Sequence, residues 1–93
     1  MIIKFKSLKE LLAYNIKYYR YKAGYSQEQL AELSKLSSRY LTDIERGKHC
    51  PTIDKIEIIS NALNIKPSDL FENPNRNSII VNRINNTRQY NQK

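Results

Sequence analysis

The chain has 93 residues, with 16 lysines and arginines against 9 aspartates and glutamates, a formal charge of +7 and a pI near 9.6. So short a chain makes one domain with a modest core, which argues against a large ligand cavity or a separate sensing domain. The positive field attracts polyanions, nucleic acid first among them, and the single cysteine, Cys50, excludes an intrachain disulfide.

The start of the chain lacks a signal-peptide pattern, and no apolar run approaches the roughly 20 residues of a membrane span. The expectation is therefore a cytoplasmic protein with no membrane partner. Residues 1–7, with "MIIKFK", are ambiguous and are treated as an N-terminal arm. From Leu8 to Lys22, the residues Leu8, Leu12, Ile16 and Tyr19 recur at intervals of four and three, which is one face of a helix, and Gly24 stops it. "SQEQ" at 26–29 has the form of a capping box, in which Ser26 accepts the Gln29 N–H and Gln29 reaches back. A short second helix follows from Gln27 to about Ser34. Ser37 caps a third, which runs to about Arg46 before Gly47 ends it. Beyond Pro51-Thr52, "IDKIEIISNAL" keeps helical spacing through Ile53, Ile56, Ile59 and Leu63. Pro67 suits the first turn of a fifth helix, "PSDLF", with Leu70 and Phe71 closing the core. From residue 72 the composition turns rich in Asn, apart from an apolar cluster at Ile79, Ile80, Val81 and Ile84. Residues 72–93 are a tail whose form periodicity does not decide. No internal repeat is visible.

Enzyme chemistry finds little support. His49 and Cys50 are the only His and Cys, too few for the three or four ligands of a protein zinc site, and adjacent turn residues are poorly arranged as a nucleophilic pair. A phosphate loop needs more glycine than Gly24 and Gly47 supply, and the carboxylates Glu28, Glu32, Asp54 and Glu57 are scattered over solvent faces. No catalytic residue, metal or cofactor is expected.

The third helix is different. At about 100° per residue, Ser38, Arg39, Thr42, Asp43 and Arg46 gather on one side, and Tyr40, Leu41 and Ile44 on the opposite side. Alone this is an ordinary amphipathic helix. A short capped helix immediately before it, joined by a tight turn through Lys35 and Leu36, makes the pair a helix-turn-helix. A helix of about nine residues is roughly 13 Å long, comparable with a major groove about 12 Å wide.

"YSQEQLAELSKLSSRYLTDIERGKHCPTIDKIEIISNALNIKPSDLF" resembles the lambda-repressor-like, Cro-type (XRE) helix-turn-helix family. The matching features are an S-Q-x-x-L-A start, an I-E-R-G end to the recognition helix and a following P-T helix, and the likeness spans residues 8–71. One departure stands out: the family's usual turn glycine is Lys35, and a left-handed lysine costs roughly 1 kcal/mol. The resemblance implies an all-α, compact five-helix domain that binds double-stranded DNA through the major groove. It assigns base reading to Ser38, Arg39, Thr42 and Asp43, with Arg39 as donor to guanine O6 and N7 and Asp43, one turn on, as its brace or as acceptor from cytosine. Thr42 suits a thymine methyl. Phosphate contacts fall to Gln27, at a helix N-terminus, and to Lys35, Tyr40, Arg46 and Lys48, with core packing as the alternative for Tyr40. Arg20 and Glu45 match a family ion pair between the first and third helices.

The expected function is that of a sequence-specific transcriptional regulator, a homodimer on an inverted repeat, of the repressor or restriction-modification controller kind. The competing reading is an antitoxin that regulates its own operon and binds a toxin, its protein partner, through the tail. A third is an adaptor that kept the fold without DNA binding. The abundance of Asn, Ile, Lys and Tyr is compatible with an AT-rich genome, hence a bacterium or its phage.

Overall fold

A computed structural model describes residues 4–74. Four α-helices follow in order, α1 Leu8–Ala23, α2 Gln27–Ser34, α3 Ser38–Glu45 and α4 Ile53–Leu63, and then a single 3-10 turn, Pro67–Phe71. No strand occurs among the described residues.

Each α-helix starts on a hydroxyl that accepts an otherwise unpaired N–H of its first turn. Ser7 takes that of Glu10 at 3.2 Å, Ser37 that of Tyr40 at 3.0 Å and Thr52 that of Lys55 at 3.2 Å. At α2 the box is reciprocal: Ser26 Oγ accepts Gln29 N–H at 3.0 Å and Gln29 Oε1 accepts Ser26 N–H at 2.8 Å. Three of the helices end on a left-handed residue, Gly24 (φ 80°), Lys35 (φ 57°) and Asn64 (φ 62°). At the α2 end, Leu36 N–H reaches Ala31 O at 2.8 Å and Lys35 N–H reaches Glu32 O at 3.1 Å. These are the paired bonds of a Schellman stop, and they turn the chain into α3.

The core is the stripe of Leu12 and Ile16 from α1, Leu30 and Ala31 from α2, Leu41 and Ile44 from α3, Ile56, Ile59 and Leu63 from α4, and Leu70 from the 3-10 turn. Burying these side chains, each worth about 1.5–3 kcal/mol for Leu or Ile, fixes the α2–α3 pair against α1 and α4.

Four expectations are corrected. The fifth helix is 3-10, not α: with five residues and a proline at its start, the backbone closes the shorter i→i+3 bond from Asp69 N–H to Lys66 O at 2.9 Å. Leu8 and Ile53, both at the first residue of a helix, are 53% and 75% exposed, and Phe71 is 39% exposed. All three stand at core spacing, but among the described residues no neighbouring element covers those ends. The apolar cluster of residues 79–84 lies outside the described residues.

One buried polar residue ties the end of the domain to α1. Asn15 Nδ2 donates to Leu70 O and to Glu72 O, both at 2.8 Å, while its Oδ1 is buried with no hydrogen-bond partner among the described residues. The two bonds hold the 3-10 turn, and hence Leu70, against the core.

Candidate nucleic-acid interface

The left-handed Lys35 and the cap at Ser37 set α3 across α2, so that Leu41 and Ile44 point into the core and the opposite stripe points outward. On that stripe Ser38, Arg39 and Arg46 are exposed, while Thr42 and Asp43 are partly buried. The Arg39 side chain is 87% exposed, its Nε 3.6 Å from Asp43 Oδ2. His49 Nε2 approaches the same oxygen at 3.7 Å. Asp43 thus stands between two nitrogen-bearing side chains, and the Arg39 guanidinium gives a carboxylate on this face a positive partner that offsets its repulsion of phosphate.

Thr42 and Gln27 are joined to each other. Thr42 Oγ1 donates to Gln27 Oε1 at 2.9 Å, and Gln27 Nε2 donates to Glu45 Oε1 at 3.0 Å. Glu45 in turn holds Arg20, whose Nε donates to Oε2 at 2.7 Å and whose Nη2 donates to Oε1 at 2.9 Å. Arg20 Nη1 completes the set by donating to Tyr25 O at 2.9 Å. The hydrogen bond that Arg20 donates to Glu45 outweighs burial and raises the Arg20 pKa above its ordinary value, so the guanidinium stays charged. A continuous chain therefore runs from a buried ion pair, through the first residue of α2, to the middle of the outward face of α3. Such a network resists rotation of α3 against α2.

The remaining candidates lie around this stripe. Lys35 and Lys48 are exposed at the two turns that bracket α3. Tyr40 is half-buried, packs against the core and lies with its ring centroid 6.2 Å from that of His49. Sequence reading missed the place of His49, assigned to a plain turn, and the bonds of Gln27 and Thr42 to each other. The first had no signal beyond its nearness to α3, and the second depends on contacts between separate helices. Cys50 is exposed, and among the described residues no three His, Cys, Asp or Glu side chains gather as a metal site. No helix of the described residues is long and apolar enough to cross a membrane.

An outward polar stripe on the second helix of a tight helix-turn-helix is the geometry of a major-groove reader. The family described as Helix-turn-helix matches residues 16–70, more than half of the chain. The chain is 42% identical over 62 residues to the control protein C.SmaI of Serratia marcescens, covering 67% of this chain and 74% of that protein. Its fold is similar to that of the hypothetical transcription factor NHTF from Neisseria, with a TM-score of 0.79 at 28% identity over 86% of this chain and 92% of that one. It is also similar to SinR, a master regulator for biofilm formation solved in complex with DNA, with a TM-score of 0.63 at 34% identity over 66% and 98% of the two chains. The chain belongs to the helix-turn-helix family of XRE-type transcriptional regulators, a DNA-binding class and not an enzyme class.

Proposed function

We propose that the protein is a sequence-specific transcriptional regulator that binds an inverted-repeat operator as a homodimer, acting in the cytoplasm as a repressor or a restriction-modification-type controller. The observation that carries this reading is the Arg39–Asp43 pair, an extended guanidinium with a carboxylate one turn away on the outward face of α3. In this reading Arg39 donates two bonds to a guanine, Asp43 holds it in line, and Ser38 and Thr42 touch neighbouring base edges. Gln27, Lys35, Tyr40, Arg46 and Lys48 contact phosphates and set the register of the helix without reading sequence. One short helix reads few base pairs. Two copies related by a two-fold axis double the site, with half-sites about one turn of DNA apart.

Similarity to a named control protein supports the regulator over the antitoxin, for which no feature of the described residues speaks. The test is fluorescence anisotropy with DNA from upstream of the protein's own gene and with a scrambled duplex, at two salt concentrations, alongside sedimentation to establish the oligomer. Salt-sensitive binding with a preference of at least about a thousandfold is expected. Weak and equal binding to both duplexes would overturn the reading.

A further inference from the structure

The turn after α3 brings His49, which none of the assignments above uses, back to the reading face. Gly47, at φ 76°, reverses the chain in the left-handed region, and Lys48 N–H closes on Asp43 O at 2.8 Å. That bond folds the turn against the end of α3 and sets His49 beside Tyr40, with ring centroids 6.2 Å apart and planes 30° apart. Tyr40 is itself packed against the core, so the imidazole stands against a fixed ring although its own side chain is 57% exposed.

One atom, Asp43 Oδ2, then has two rivals for its charge. Arg39 Nε lies 3.6 Å from it, reaching from one turn earlier in α3, and His49 Nε2 lies 3.7 Å from it, reaching from the turn that follows. The Asp43 side chain is only 14% exposed, so the carboxylate is the fixed member and the two nitrogen-bearing side chains are the ones free to move. Among the described residues Asp43 is the one carboxylate within ion-pair distance of His49. The other titratable or charged groups near the imidazole are Tyr40, also from α3, and Arg46, Lys48 and Cys50 along the turn.

The two rivals differ in kind. A guanidinium is always charged, whereas histidine takes up its charge between about pH 8 and 5. While His49 is neutral, the attraction of Asp43 falls on Arg39 alone and holds it in line. Once His49 is protonated, a second cation competes for the same oxygen and the hold on Arg39 weakens. The same proton adds a positive charge beside the reading face, which attracts phosphate whatever the sequence. Acid therefore moves affinity and selectivity in opposite directions.

We propose that His49 is a positioning residue for base reading, acting on Arg39 through Asp43, so that its protonation lowers discrimination at the base pair read by Arg39 and leaves the other pairs unaffected. The proposal rests on the base-reading role of Arg39 proposed above and adds a control that lies in the turn after α3.

The experiment titrates the full chain against DNA from upstream of its gene, single-base variants of that DNA and a scrambled duplex, between about pH 5 and 8 at constant ionic strength. The pair read by Arg39 is the one at which Arg39→Ala loses discrimination. There the wild type is expected to lose about two- to fivefold in discrimination toward acid, the range of an exposed ion pair, while its affinity for the scrambled duplex rises. The chain holds one histidine, so His49→Gln should keep its discrimination constant across the range, and His49→Lys, permanently charged, should show the acid value throughout. Discrimination that is flat with pH in the wild type, that falls equally in His49→Gln or that falls alike at every pair overturns the role of His49 and leaves the regulator standing. A wild type that prefers no sequence at any pH overturns both.

Discussion

Arg20 and Glu45 meet side on, Nε to Oε2 at 2.7 Å and Nη2 to Oε1 at 2.9 Å, with only 6% and 2% of their side chains exposed. Removing two charges from water costs several kcal/mol for each, and their attraction in the interior roughly offsets it. The pair therefore adds little net stability while it is whole, but losing one member strands the other. Arg20→Ala is expected to lower the unfolding free energy by roughly 3–5 kcal/mol, read from urea denaturation. The double variant Arg20→Met with Glu45→Leu should recover most of that loss. If the double variant instead shows the sum of the two single losses, the residues are not coupled.

Because Gln27 hangs from Glu45 at 3.0 Å and carries Thr42 at 2.9 Å, the two kinds of DNA-facing residue should respond differently to mutation. Arg39 lies outside this network, beside Asp43, and its loss should relax specificity at one base pair per half-site by roughly 1–3 kcal/mol. Lys48→Ala should weaken all sequences alike and lower the salt slope by about one. A panel of single-base operator variants titrated against each protein separates the two. An equal loss for Arg39→Ala on every sequence would make it a phosphate ligand.

The α2–α3 unit was legible because its determinants are local. A hydroxyl three residues before the N–H that it accepts, as at Ser26 and Ser37, is written in adjacent letters, and so is the polar stripe of α3. What depends on a distant partner was legible only where the family resemblance carried it, as for Arg20 and Glu45. Leu8 and Ile53 keep helical spacing, yet spacing gives a direction only and says nothing of whether another element lies there. Asn15 is a polar residue at an interior position, its amide nitrogen bonded to carbonyls more than fifty positions away. The bond from Gln27 to Glu45 likewise spans 18 positions, which is why Gln27 looked like a free surface donor.

Tyr19 gives the domain a dependence on alkaline pH. Burial first, and then the carboxylate of Asp69, with lesser effects of Tyr18 and Glu72, push its phenol from 10.0 to about 12. The folded state keeps the proton after the unfolded chain has released it. The neutral hydroxyl therefore contributes its full stability below pH 10, and that contribution is lost as pH rises from 10 to 12. In denaturation curves from pH 9 upward, the stability of the wild type relative to Tyr19→Phe should fall across that window. The other tyrosines cancel in this difference, so a flat line would refute the shift.

Lys35 sits at φ 57° and ψ 37°, where α2 stops and the chain turns into α3. A side chain in the left-handed region costs roughly 1–2 kcal/mol, whereas glycine there is unstrained but gives up about 0.5–1 kcal/mol of unfolded-state entropy. Lys35→Gly should therefore raise the unfolding free energy by about 0.5–1 kcal/mol on balance, because the exposed lysine supplies no core packing. Lys35→Ala keeps the Cβ and the strain, so it should leave stability near that of the wild type. DNA binding should instead group the two variants apart from the wild type: both lack the ammonium, and if it neutralises a phosphate both should lose about one from the salt slope. Thermal unfolding and salt titrations of the three proteins thus divide the residue into a backbone cost and a charge contribution. A destabilised Lys35→Gly would show that the lysine side chain holds the turn, and an unchanged salt slope in both variants would remove Lys35 from the interface.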